Sequence, residues 1–125
     1  MRVGIDAQAI SEVRKALDDH GDRYRARLFT EHEIESCGGW GATSEQSAEG
    51  LAARFAAKEA VLKVLRVGDV VPSWTDIEVF RNSGGWPSIR LAGLASELAV
   101  EAGLTEFELS LTHTSDLAIA IVISQ

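Results

Sequence analysis

Leu51-Ala-Ala-Arg-Phe-Ala-Ala-Lys-Glu-Ala-Val-Leu-Lys63 consists of good helix formers and contains neither Gly nor Pro. Such a run folds as a helix by intrinsic preference. At ~100° per residue, Ala48, Ala52, Phe55, Glu59 and Leu62 fall on one side of that helix, so a carboxylate interrupts an apolar stripe. Lys63 follows one turn later, within reach of Glu59. A carboxylate on a buried face costs free energy unless it is paired, protonated or bound to a metal.

The neighbouring segments define the frame around this helix. Ser44 offers a cap for its start, and the pattern runs to about Arg66. Arg2 to Ala7 alternates Val3 and Ile5 with polar or small residues, as a short strand does, and Asp6 points opposite to Ile5 near its end. Ile10, Val13, Ala16 and Leu17 have helical spacing, with Ser11 near the start and Gly21 as a stop. Thr30-Glu-His-Glu33 has capping-box spacing and predicts a short helix to about Cys37. Cys37 to Thr43 is a glycine-rich loop. Beyond the long helix, Val67 to Ser73 is a loop, and Trp74 to Phe80 and Trp86 to Leu91 are strands joined by a turn at Arg81-Asn-Ser-Gly-Gly85. Pro87 stands near the start of the return strand, where a missing N–H is tolerated. Leu94 to Ala102 is a helix closed by Gly103; Phe107 to Leu111 and Leu117 to Ile123 are strands, with a turn at His113-Thr-Ser-Asp116. The order β-α-α-α-β-β-α-β-β is an α+β fold, with a largely antiparallel sheet packed against the long helix.

The chain of 125 residues suits one domain, 1–125, and its 46% apolar content can fill a core. A net charge of −7 disfavours nonspecific nucleic-acid binding. Cys37 is alone, so neither an internal disulfide nor a cysteine metal cluster is expected. There is no long apolar run that would span a membrane. The N-terminal Met-Arg-Val-Gly-Ile-Asp6 reads as a strand and not as a signal peptide, which makes a reduced, cytoplasmic setting the expectation.

Asp6 and Glu59 are two carboxylates on different elements, with Lys58 and Lys63 nearby. That set suits Mg²⁺ holding a phosphate, because magnesium often takes one or two carboxylates plus substrate oxygens and waters. The plainer alternative is a partly exposed Glu59 paired with Lys63. His113 lies where a strand meets a turn; it can bond a phosphate or move a proton, or simply brace the turn. Asn82-Ser-Gly-Gly-Trp-Pro87 is a hairpin turn whose N–H groups can also face a nucleotide. Arg14, Lys15, Arg23, Arg25 and Arg27 hold five of the twelve basic residues. They form either a docking surface for an acidic partner or a solvated face interleaved with Asp18, Asp19 and Asp22.

Four segments together resemble one family: Val3-Gly-Ile-Asp6; Arg54-Phe-Ala-Ala-Lys-Glu-Ala60 with Lys63; Trp74 to Val79 followed by Gly85-Trp-Pro87; and Leu109-Ser-Leu-Thr-His-Thr114. Their order and spacing are similar to those of the holo-acyl-carrier-protein synthases, a group of 4′-phosphopantetheinyl transferases. Leu28 to Cys37 also matches the second helix of that family. The resemblance implies a reaction in which a serine of an apo acyl carrier protein attacks the β-phosphate of coenzyme A. Phosphopantetheine passes to the serine and 3′,5′-ADP leaves, with Mg²⁺ bound. It implies metal ligation by Asp6 and Glu59, and catalytic roles for Glu59, Lys63 and His113. Coenzyme contacts are implied at Arg54, Lys58, Lys63, Gly84, Gly85, Pro87 and His113. Arg14 and Lys15 on the first helix are implied as the docking site of the acidic carrier, in fatty-acid or natural-product synthesis. A homotrimer with sites shared between neighbours is also implied. His113 and a metal-bound water are both candidates for the general base. Three positions depart from the family pattern: Ala9 where an acidic residue is common, Arg66-Val-Gly68 where Gly-Thr-Gly is common, and Trp86 where a lysine is common. Two other readings are a catalytically weakened coenzyme- or carrier-binding paralogue and a Mg²⁺-dependent phosphohydrolase.

Overall fold

A computed structural model describes residues 1–125. In chain order it contains β1 (Arg2–Ala9), α1 (Ile10–His20), α2 (Asp22–Leu28), α3 (Glu31–Ser36), α4 (Ser44–Leu65), a 3-10 turn (Trp74–Asp76), β2 (Ile77–Arg81), β3 (Pro87–Leu91), α5 (Gly93–Glu101), β4 (Phe107–His113) and β5 (Leu117–Ser124). The α+β reading holds. No helix is long and apolar enough to cross a membrane.

The structure differs from the sequence expectation at five places, one of them β4, which runs past Leu111 to His113. A helix, α2, occupies Asp22–Leu28 where no element was expected. Gly21, at φ 53 and ψ −128, ends α1 and α2 restarts at once without a side-chain cap, so no local signal marks it. Strand β1 runs on to Ala9, because its pairing with β5 continues to Leu117. Thr43 caps α4, in place of Ser44, through a capping box with Gln46. Trp74–Asp76 is a 3-10 turn and not strand, with Asp76 accepting the N–H of Ser73.

Strands β1, β5 and β4 form an antiparallel sheet in that order, and β2 and β3 form a separate antiparallel hairpin. Helix α4 lies across the inner face of the three-stranded sheet. Ala118, Ala120 and Val122 of β5 point inward and are fully buried. Gly4 makes the approach possible: a Cβ built there would lie 2.1 Å from the carbonyl oxygen of Ala60. The obstacle is helix backbone, which cannot rotate away. Gly4→Ala is expected to cost about 1–3 kcal/mol by overpacking, read as a lower denaturant midpoint at unchanged slope. An unchanged midpoint would show that β1 does not need this approach.

Helix α4 is not a helix with one buried stripe. Its first half buries Ala48, Leu51 and Ala52 against Ile10, Val13, Leu17, Phe29 and Ile34. Its second half buries Ala56, Ala57, Ala60, Val61 and Val64 against the sheet and Ala95 and Ala99 of α5. The buried side therefore switches midway. The first half leaves open the side of Glu49, Gly50 and Arg54, and the second half the side of Glu59, Lys63 and Arg66. The two open sides lie roughly 160° apart around the helix. Glu59 thus stands at the edge of the core and not inside an apolar stripe.

The outer face of the three-stranded sheet is uncovered; its β1–β5 part is apolar, and β4 adds the exposed Glu108, Ser110 and Thr112. Val3 pairs with Ile123 and Ile5 with Ile121, and Val3, Ile5, Leu117 and Ile123 are all exposed.

Candidate functional site

The close crossing at Gly4 brings Asp6 beside the last turns of α4. Lys63 reaches across, with Nζ 2.7 Å from the Ile5 carbonyl and 3.1 Å from Asp6 Oδ1. The plainer alternative, a Glu59–Lys63 ion pair, is absent; Lys63 pairs with Asp6. Glu59 has no hydrogen-bond or ion-pair partner among the side chains. Burial, and then the charge of Asp6, raise its pKa above the usual glutamate range, with Lys63 opposing. Glu59 and Lys63 line a cleft of about 310 Å³ with Leu62, Arg66, Val67, Gly68 and Val71. A half-buried carboxylate that is repelled by a second one and lacks a partner fits a hard cation. No third metal-type side chain joins the pair, so a cation here depends on water and ligand oxygens, as Mg²⁺ commonly does.

His113 and Arg54 meet elsewhere. They line a second cleft, about 180 Å³, with Glu49, Gly50, Ala53, Arg81, Leu111 and Thr112. His113 Nε2 lies 3.4 Å from Glu49 Oε1. Arg54 Nη1 donates to the Gly50 carbonyl at 3.1 Å, while its buried Nε has no partner. Arg81 Nη1 donates to the Gly85 carbonyl at 2.8 Å and so ties the β2–β3 turn to this cleft. Within that turn the N–H of Gly84 bonds Asn82 Oδ1, and the N–H of Gly85 bonds the Asn82 carbonyl. Those donors are occupied, so Gly84 and Gly85 do not present free N–H groups to a nucleotide. The sequence-predicted set thus divides in two, with Asp6, Glu59 and Lys63 on one open side of α4 and Arg54 and His113 on the other.

Lys58 joins neither group, contrary to its expected role at the coenzyme. It is fully buried, as is Glu33, and its Nζ lies 2.7 Å from Glu33 Oε1. Nζ also donates to the carbonyls of Trp74 and Ile77. Glu33 in turn accepts from the N–H groups of Thr30 and Val79, each at 2.9 Å. Burial lowers the Lys58 pKa, and Glu33 opposes that. The pair fastens α3, α4 and β2 together. Glu33 was legible only as a capping residue; its second oxygen is used by a strand that follows far along the chain.

The basic cluster also divides. Arg25 is buried and holds the glycine-rich loop through the Ala42 carbonyl and Ser47 Oγ, with Asp22 as its ion pair, so it is not part of a docking face. Arg14 pairs with Glu45 and Lys15 with Asp19. Arg23 and Arg27 line a groove of about 210 Å³ with His20 and Tyr24.

The family model of the 4′-phosphopantetheinyl transferase superfamily matches residues 2–122. A holo-[acyl-carrier-protein] synthase of Desulforudis audaxviator is 38% identical over 122 residues, covering 98% of this chain and 90% of the relative. The crystal structure of the Helicobacter pylori holo-[acyl-carrier-protein] synthase in complex with coenzyme A superposes with a TM-score of 0.81 at 26% identity, over 98% of this chain and 99% of that one. A holo-(acyl-carrier-protein) synthase from Bacillus anthracis in complex with CoA (3′,5′-ADP) gives a TM-score of 0.74 at 29% identity, over 98% and 94% of the two chains.

Proposed function

Because this chain belongs to the 4′-phosphopantetheinyl transferase superfamily, among its holo-[acyl-carrier-protein] synthases, we propose that it transfers 4′-phosphopantetheine from coenzyme A to a serine of an apo acyl carrier protein. In this reaction the serine oxygen bonds to the β-phosphorus, the P–O bond to the ADP portion breaks, and 3′,5′-ADP leaves with the bond's electron pair. The serine proton passes to a base. The observation that carries the reading is the partnerless Glu59 carboxylate beside Asp6 and Lys63 in an open cleft. Mg²⁺ held by Asp6 and Glu59 would neutralise charge on the pyrophosphate and polarise the reacting phosphoryl group. Asp6 and the Ile5 carbonyl hold the Lys63 ammonium at the cleft, where it faces charge that grows on the departing phosphate. His113 and Arg54 lie in the other cleft and need a second copy of the chain to meet the first.

Two observations support a shared site in a homotrimer. The clefts open on opposite sides of α4, and the uncovered Val3, Ile5, Leu117 and Ile123 face suits burial between copies. The docking surface for the acidic carrier is the α1–α2 face with Arg14, Lys15, Arg23 and Arg27.

The test is the mass of an apo carrier after incubation with the protein, coenzyme A and Mg²⁺. A gain of one phosphopantetheine is expected; no gain on any carrier at high enzyme rejects the reading. Sharing has its own test. Glu59→Gln and His113→Ala are each expected to be nearly inactive. Mixed and reassembled one to one, they are expected to recover roughly a quarter of wild-type activity, since one site in four would join two intact halves. No recovery after verified subunit exchange rejects sharing.

A further inference from the structure

Arg66 is the only residue other than glycine with a positive φ. It sits at φ 53, ψ 53 as the left-handed cap of α4. Gly is the usual residue there because a Cβ is strained in that conformation, and strained backbone tends to persist where a site uses it. Packing does not explain the arginine. Its side chain is exposed and makes neither a hydrogen bond nor an ion pair. Its backbone N–H bonds the Leu62 and Lys63 carbonyls, which glycine would do equally well. A cation near a helix C-terminus is favourable, but Lys63 already supplies one in the last turn. The Arg66 side chain instead lines the 310 Å³ cleft with Glu59 and Lys63. Of the two cations there, Lys63 is engaged by Asp6 and Arg66 is uncommitted.

The geometry points to Arg66 as a phosphate-binding residue that grips a phosphate of the coenzyme A substrate at the end of α4. A guanidinium fork matches two phosphate oxygens at once, which an ammonium does not. This inference rests on the proposed function, and it gives a task to a cleft residue that the proposed function leaves unused.

The test compares wild type, Arg66→Gly and Arg66→Lys by calorimetric titration with coenzyme A and with 3′-dephospho-coenzyme A, alongside KM and kcat in the carrier assay. Arg66→Gly is expected to weaken coenzyme binding roughly tenfold, with KM rising and kcat less affected. Its melting temperature is expected not to fall, because glycine adopts the cap without strain. Arg66→Lys is expected to lie between the two. Loss with both ligands places the contact on the pyrophosphate; loss with coenzyme A alone places it on the 3′-phosphate. Unchanged affinity of Arg66→Gly for both ligands overturns the inference. If wild type binds coenzyme A but modifies no carrier, the proposed function fails and the affinity comparison still decides Arg66. If wild type binds no coenzyme A, both fail.

Discussion

Glu59→Gln is expected to lower phosphopantetheine transfer roughly 10²–10³-fold, and to raise the melting temperature of the metal-free protein at neutral pH. The two effects have one cause. Glu59 is partly desolvated, faces Asp6 and has no partner of its own. The folded state therefore binds the Glu59 proton more tightly than the unfolded state does. By linkage, stability falls as pH rises from the ordinary glutamate range through the raised value, and above it the whole penalty is present. Glutamine carries no charge and removes it. Metal-free wild type and Glu59→Gln are expected to melt alike below the ordinary glutamate range and to diverge as pH rises. Mg²⁺ is expected to raise the wild-type melting temperature more than that of the variant. Asp6→Asn is expected to lose activity similarly, without the gain in stability, because it also removes the partner of Lys63. Full turnover by Glu59→Gln would remove Glu59 from the site. A variant melting below metal-free wild type at neutral pH would mean that Glu59 is an ordinary structural carboxylate.

Local chemistry made much of this fold legible. The capping box at Thr30 and Glu33 gave α3, Gly21 gave the end of α1, and the Asn82 to Gly85 turn gave the β2–β3 hairpin. Local spacing put Asp6 on a strand and Glu59 and Lys63 one turn apart on a helix, and both placements hold; the turn of Lys63 to Asp6, far along the chain, has no local signal. What failed depended on tertiary packing. The α4 wheel assumed one buried side for the whole helix, but two clusters bury different sides of its two halves. That phase puts Glu59 inside the stripe and leaves Lys58 open; in the structure Glu59 is half-buried at the edge of the core and Lys58 is fully inside it. Helix α2 was missed because it is short and begins directly after a glycine with no cap.

The same switch in the phase of α4 explains how one helix serves two clefts. A helix with a single buried stripe offers one solvent face, and both groups of residues would then share it. By turning over midway, α4 presents Arg54 to one side and Glu59 and Lys63 to the other. Residues adjacent along the motif, such as Lys58 and Glu59, consequently have unlike tasks: one fastens the core and the other faces the cleft.

Lys58→Met is expected to destabilise the protein by about 3–5 kcal/mol, the range for removing one partner of a buried ion pair. All the donors of Lys58 point inward, to Glu33 and to the Trp74 and Ile77 carbonyls. Without them, Glu33 is a buried charge with no counter-charge, and two carbonyls lose their donor. Glu33→Leu leaves Lys58 uncompensated and takes the acceptor from the Thr30 and Val79 N–H groups, so it is expected to cost at least as much. The double variant Glu33→Leu with Lys58→Met removes both charges and is expected to be more stable than the sum of the two single losses allows. Recovery is incomplete, because the Thr30 and Val79 N–H groups lose their acceptor. Denaturant unfolding of the four proteins measures the coupling; additive losses would mean that the pair does not act as a unit. Ligand binding separates this role from the one the sequence suggested. At a temperature where Lys58→Met is still folded, its affinity for coenzyme A is expected to change less than that of Lys63→Ala. A Lys58→Met protein with wild-type stability and weakened coenzyme binding would return Lys58 to the substrate.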